Sequence, residues 1–170
     1  MKMVITTDGS AVPNPGPTRI GVLVEDDSGN ILAAFSEESG FGTSNTAEYK
    51  AIIRGLTFAK ESLATICVVY TDSQLCERQL NGIYDVRKET LIPLYNRVKD
   101  LEKAFTRVRF RWRSREEGRQ PVADALAAGG SRAMEALRSI ENEQSANRTG
   151  PDGCGTPADP ADSVPNPEHT

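Results

Sequence analysis

The period of the apolar positions changes several times along the chain, and each change marks an element. Val4 and Ile5, followed by two threonines, form a short apolar run that stops at Asp8-Gly9-Ser10. The pattern predicts a buried strand with Asp8 at its carboxyl end, because turn residues take over there. A loop stiffened by Pro13, Pro15 and Pro17 follows, in which Asn14-Pro15-Gly16 has the residue types of a tight turn. Residues 19–25 and 30–35 then flank Asp26-Asp27-Ser28-Gly29 and read as an antiparallel hairpin. After a Gly- and Ser-rich loop at 39–44, the spacing becomes helical from Thr46, with Ala51, Ile52, Leu56 and Ala59 along one stripe. Asn45 with Glu48 three residues later fits a capping box, which places Glu48 in the first helical turn. Residues 66–70 form a continuous apolar run, the mark of a strand buried on both faces, ending in Thr71-Asp72-Ser73 much as the first strand ends in Thr7-Asp8-Gly9.

A short helix over 74–80 comes next, then a longer one carrying Leu91, Leu94, Val98 and Leu101. Residues 106–112 alternate, with Val108, Phe110 and Trp112 on one face and Arg107, Arg109, Arg111 and Arg113 on the other. Trp112 is therefore assigned to the core. The arginine row reads as the solvated side of an edge strand guarded against aggregation, in preference to a phosphate-tracking face. After a polar loop at 114–120, Pro121 opens a last helix through Val122, Leu126, Met134 and Leu137. Gly129-Gly130 weakens that helix by about 2 kcal/mol relative to alanines, so a kink or split is expected there, with Ser131 capping the second piece. The order of elements predicts an α/β fold: a mixed five-stranded sheet with helices packed on both faces, the strands ending at Asp8 and Asp72 side by side and parallel.

Composition narrows this picture in three ways. A length of 170 residues with 38% hydrophobic content suits one domain with a full core. The net charge of −4 is asymmetric, since residues 141–170 hold six acids against Arg148 alone, which leaves 1–140 at +1. That segment is rich in Pro, Gly, Asp, Asn and Ser and is expected to be a disordered acidic tail. Cys67, Cys76 and Cys154 have no metal-like or disulfide-framework spacing, which suggests a reducing, cytoplasmic setting. No signal peptide and no run of about 18 apolar residues is present, so neither secretion nor a membrane span is expected.

The chemistry lies in the acids. Asp8, Glu48, Asp72 and Asp124 each have an ordinary explanation as turn, capping or first-turn residues. Those explanations do not account for four elements bringing a carboxylate to the same edge of one sheet. Like charges gathered there repel unless a cation sits among them, and oxygen ligands without His or Cys point to Mg²⁺ or Mn²⁺. Two such ions clamp the attacking water and leaving oxygen of a phosphoryl displacement, which makes phosphodiester hydrolysis the expected reaction.

Four blocks carry a resemblance: T-D-G-S-A-V-P-N-P-G, T-S-N-T-A-E-Y-K-A-I-I-R-G-L, Y-T-D-S-Q-L-C-E-R-Q-L-N-G and R-E-E-G-R-Q-P-V-A-D-A-L-A. In this order and spacing, over about residues 3–128, they closely resemble type-one ribonuclease H. The resemblance implies a ribonuclease H-like catalytic domain over 1–140. It implies a sequence-independent endonuclease that cleaves the RNA strand of RNA/DNA hybrids, with Asp8, Glu48, Asp72 and Asp124 as catalytic metal-binding acids and two Mg²⁺ or Mn²⁺ ions per site. The products carry a 5′ phosphate and a 3′ hydroxyl, and the protein is expected to be a monomer. Asn14, Thr43, Ser44, Asn45 and Gln74 match positions that contact 2′-hydroxyls, phosphates and the minor groove in that family. Only ribose offers a 2′-OH, so short polar groups can tell the strands apart without reading bases.

The chain also departs from the pattern. Its only His is His169, so the loop His that assists product release in many members is replaced, with Arg115 or Glu116 as the substitute. Gln120 stands where the family has Asn, and the basic handle after the second helix is missing, so hybrid binding is expected to be weaker and more salt-sensitive. Double-stranded RNA as the substrate, or a noncatalytic hybrid-binding module, are the competing expectations.

Overall fold

The computed structural model describes residues 1–148. Five strands, β1 (Lys2–Ala11), β2 (Gly16–Asp26), β3 (Ile31–Gly42), β4 (Ile66–Thr71) and β5 (Arg107–Trp112), form one sheet in the order β3-β2-β1-β4-β5. β1 runs antiparallel to β2 and parallel to β4, and β5 is parallel to β4 at the edge. α1 (Ser44–Glu61) packs on β1 and β2 with α3 (Ile92–Glu102) beside it, while α2 (Gln74–Leu80) leads out of β4. On the opposite face α4 (Gln120–Ala128) covers β1 and β2, and α5 (Gly130–Arg148) packs on α4 and β3.

The expected stripe of α1 makes the core: Ala51, Ile52, Leu56 and Ala59 are all fully buried, against Met3, Ile5, Val22 and Val69. Two glycines let the helices close on the sheet. A Cβ on Gly9 would lie 2.4 Å from the backbone of Ala47 and Glu48, and one on Gly21 would lie 2.2 Å from the carbonyl oxygen of Ala123. Both helices that carry acids therefore approach to backbone contact, which only glycine permits.

Several local expectations are corrected. β1 does not end at Asp8, because its antiparallel partner continues to the Ala11–Thr18 pair. The parallel pairing with β4 does stop at Thr7–Thr71, so Asp8 is the first residue beyond it. β3 absorbs most of the Gly- and Ser-rich loop and runs to Gly42. The capping box of α1 is Thr43 with Thr46, not Asn45 with Glu48, since the Thr43 hydroxyl accepts from the Thr46 amide at 3.2 Å. Glu48, the fifth residue of α1, lies beyond the first turn expected for it and is buried. β4 alternates in burial, with Cys67, Val69 and Thr71 buried and Ile66, Val68 and Tyr70 half-buried.

Trp112 is not core: it is 45% exposed, and its indole Nε1 donates to the carbonyl oxygen of Asp72 at 3.1 Å. The last helix splits at Gly129 (φ +72°), and the break shifts the helical phase. Ala133 and Ile140 face inward from α5 and Met134 is exposed. Ser131 lies inside the first turn of α5 rather than before it.

α5 also continues to Arg148, past the boundary expected at 140. Ile140 is buried with Leu23 and Ile31, Arg119 bridges Glu25 at 3.0 Å and Glu143 at 2.6 Å, and the Gln144 Nε2 donates to the Ile31 carbonyl oxygen. Those contacts order residues whose composition alone suggests disorder. The rest of the expected tail, 149–170 with Cys154, lies outside the described residues. Among the described residues no helix is long and apolar enough to cross a membrane.

Candidate active site

At the point where β1 outruns β4, three carboxylates meet. Asp8 comes from β1, Asp72 from the residue after β4, and Glu48 from α1, whose close approach over Gly9 lets the side chain reach across the sheet's end. One oxygen of each lies within 4.8 Å of the others. Glu48 is fixed by two bonds, accepting from the Gly9 amide at 3.0 Å and from the Thr71 hydroxyl at 3.2 Å. The Asp8 Oδ1 is buried with no hydrogen-bond partner among the described residues.

Burial is the main cause of the electrostatics here. It raises the Asp8 carboxyl from 3.8 to about 7, helped by the charge of Asp72 and to a smaller degree Asp124, while a bond with Glu48 works the other way. Burial likewise pushes Glu48 well above its ordinary range, with Asp8 and Asp72 adding to it.

The fourth acid stands slightly apart. Asp124, at the middle of α4 rather than in its first turn, lines the same cleft of about 520 Å³ as Asp8, but it lies outside the three-carboxylate group. Its carboxylate is held by Arg132 at 2.6 Å and approached by Arg115 at 3.8 Å, and Arg115 also binds Asp72 at 3.0 Å. The sequence therefore places all four acids in one neighbourhood, three of them in mutual contact distance and the fourth on guanidinium partners at the rim.

A family model described as "Reverse transcriptase-like" matches residues 6–130. The "Bifunctional protein Rv2228c" of Mycobacterium tuberculosis is 37% identical over 128 residues, covering 75% of this chain and 35% of that protein. The solved structure of that protein's N-terminal RNase H domain superposes with a TM-score of 0.71 at 34% identity, covering 75% of this chain and 97% of that one. The chain belongs to the type-one ribonuclease H family. RNase H1 of the halophilic archaeon Halobacterium salinarum gives a TM-score of 0.72 at 30% identity, over 82% of this chain and 99% of that chain. LC11-RNase H1, solved in complex with an RNA/DNA hybrid, gives 0.67 at 34% identity, over 74% and 94% of the two chains. The chain spans about a third of the length of the mycobacterial relatives it matches.

Around the acids of this ribonuclease H-like domain, the polar residues expected at the substrate are gathered at the first turn of α1. Thr43 is its N-cap, Ser44 and Asn45 follow it, and the Asn14 Oδ1 accepts from the Ser44 amide at 3.2 Å, which ties the proline loop to the helix start. Gln74 is exposed at the first position of α2, a helix capped by Ser73 rather than by Asp72. In the loop before α4, Arg115 touches two of the acids, whereas Glu116 is exposed and touches neither.

Gln120 is fully buried and its Nε2 donates to the Thr7 carbonyl oxygen at 2.7 Å, anchoring the start of α4 to the strand that carries Asp8. Its longer side chain thus makes a direct tether between two site elements. Arg132 escaped the sequence reading because the Gly129 break lies between it and Asp124. Only the eight-residue separation across that break, which folds α5 back beside α4, brings them together.

Proposed function

We propose that the chain is an endoribonuclease that hydrolyses the RNA strand of RNA/DNA hybrids without sequence preference, leaving a 5′ phosphate and a 3′ hydroxyl. The observation that carries this reading is the buried Asp8 carboxylate, which has an unpartnered Oδ1 and lies in one group with Glu48 and Asp72. A buried anionic oxygen without a partner is strongly disfavoured, and an all-oxygen donor set suits a hard divalent cation such as Mg²⁺ or Mn²⁺. Asp8, Glu48 and Asp72 would hold the ions, with Asp124 joining from the rim. Two bound ions supply Lewis-acid stabilisation of the charge that develops on the phosphoryl oxygens.

The residues of the chain do the rest. Gly9 and Thr71 hold Glu48 in one orientation. Asn14, Thr43, Ser44 and Asn45 present short polar groups and helix-start amides beside the acids, which suits contacts to ribose and phosphate and reads no bases. Gln74 would contact the same duplex from α2. Arg115, already on Asp72, rather than Glu116, takes the product-release role that a loop His has elsewhere in the family. RNase H names and a hybrid-bound neighbour among the relatives support the same substrate. A monomer acting in the cytoplasm fits the buried free thiols of Cys67 and Cys76.

The test uses end-labelled hybrid, duplex RNA and duplex DNA with and without EDTA. Cleavage confined to the RNA of the hybrid, dependent on divalent ion and abolished in Asp8→Asn while hybrid binding survives, is the expected result. Equal cleavage by Asp8→Asn would discard the mechanism, and preferential cleavage of duplex RNA would replace the substrate.

A further inference from the structure

The face of the sheet that carries the acids is only half covered. α4 and α5 pack over β1, β2 and β3, and make no extensive contact with β4 or β5. The pairing register fixes which side chains share the open part. Ile66, Val68 and Tyr70 of β4 lie opposite Arg107, Arg109 and Arg111 of β5, and Thr6 of β1 lies opposite Tyr70, so this is the face of Thr6 and, two residues on, of Asp8. Asp72, two residues beyond Tyr70, and Arg113 continue the same alternation. The Arg113 guanidinium lies 3.6 Å above the Tyr70 ring, and Arg115 then reaches Asp72 at 3.0 Å.

Arginines therefore run at every second position from the far end of the edge strand to the acids, on the acids' own face. Arg107, Arg109 and Arg111 are exposed, and none of their side chains has an ion pair or hydrogen bond within the described residues. At two residues per step, the line from Arg107 to Arg113 is about 20 Å long, the axial rise of roughly six nucleotides of one strand.

We propose that this open face of β4 and β5 is a docking surface for the phosphate backbone of the duplex that runs on past the cleavage position. The surface rests on the reading of the chain as a hybrid nuclease, and names which part of it holds the flanking substrate. Edge guarding alone asks only for some charge on the strand. It does not ask for guanidiniums in register with the acids, one of them laid flat on the neighbouring aromatic ring and the next bonded to Asp72. Phosphate oxygens match guanidinium geometry, and three guanidiniums in a row with no partner among the described residues form a polyanion site. The surface would do for this chain what the missing basic insertion after α2 does elsewhere.

The test compares the full chain with the Arg107→Gln/Arg109→Gln/Arg111→Gln variant and with the matching triple Lys variant. Binding is measured against salt in Ca²⁺ or in the Asp8→Asn background, using a long hybrid and hybrids trimmed on either side of the cleavage position. The Gln variant is expected to bind the long hybrid about tenfold to a hundredfold more weakly, with the salt slope reduced by two to three. KM should rise with kcat unchanged, the trimmed hybrids on one side should lose the difference, and the Lys variant should restore most of the affinity. Unchanged affinity and salt slope in the Gln variant, with or without new self-association, would leave the arginines as edge guards only and overturn the surface. A wild-type chain that cleaves hybrid while showing no such difference defeats this surface alone. One that neither binds nor cleaves hybrid defeats the functional reading with it.

Discussion

The metal-free protein should become less stable as the pH rises from about 4 to about 7, opposite to the usual behaviour of a carboxylate-bearing site. The Asp8 carboxyl titrates near 7 in the folded chain against 3.8 ordinarily, so between those values the folded state holds a proton that the unfolded chain has released. Stability falls with pH wherever the folded state binds more protons. A separation of about three pH units amounts to about 4 kcal/mol at 1.36 kcal/mol per unit, fully present below the unfolded value and gone above the folded one. Glu48, raised for the same reason, acts in the same direction. Asp26, Asp100 and Glu143 are shifted down by their bonding partners, so their opposite effect is confined to pH values below the ordinary carboxylate range and does not mask the trend. The assay is urea unfolding in EDTA at pH 5, 6, 7 and 8. Asp8→Asn removes the ionisation, so this variant should exceed the wild type by about 2 kcal/mol at pH 5 and by up to about 4 kcal/mol at pH 8, the gap widening as the pH rises. Saturating Mg²⁺ should stabilise the wild type more at pH 8 than at pH 5, since the ion binds the ionised acids. A flat or rising wild-type profile in EDTA, or an Asp8→Asn variant less stable than the wild type at pH 8, would refute the electrostatic account.

Two further substitutions test how the site is positioned. Gly21→Ala places a Cβ 2.2 Å from the Ala123 carbonyl oxygen, so α4 must shift on the sheet. The expected result is a loss of about 1–3 kcal/mol by denaturant unfolding and, because α4 carries Asp124, a fall in kcat of about a hundredfold. Arg119→Ala removes the partner of Glu25, which is 10% exposed, and unpins Glu143 at once, so unfolding should show a loss of about 1–3 kcal/mol with kcat nearly unchanged.

The sequence showed the order of elements and the four acids, because strand runs ending in Thr-Asp and the stripe of α1 are local patterns with one period each. It misplaced features whose cause lies elsewhere in the chain. β1 continues past Asp8 because β2 is there to pair with it, and Glu48 is no capping residue because Gly9 and Thr71 take its oxygens. The alternation of β5 correctly put Phe110 in the core, yet it could not show that Trp112, the last residue of the strand, stays exposed with its indole on the Asp72 carbonyl oxygen. Composition failed at 141–148 for a similar reason: one buried Ile140 and a single arginine with two glutamate partners order a segment whose residues favour disorder.

The four acids divide into two pairs by their surroundings. Asp72 and Asp124 are half-buried and have guanidinium partners, Arg115 and Arg132. Asp8 and Glu48 are buried, have no cationic side chain bonded to them among the described residues, and burial drives their carboxyls upward. On the proposed function, the buried pair would supply the affinity for a divalent ion, because ionising two carboxylates away from water is disfavoured until a cation joins them, and Arg115 and Arg132 would release their acids to phosphate as substrate arrives.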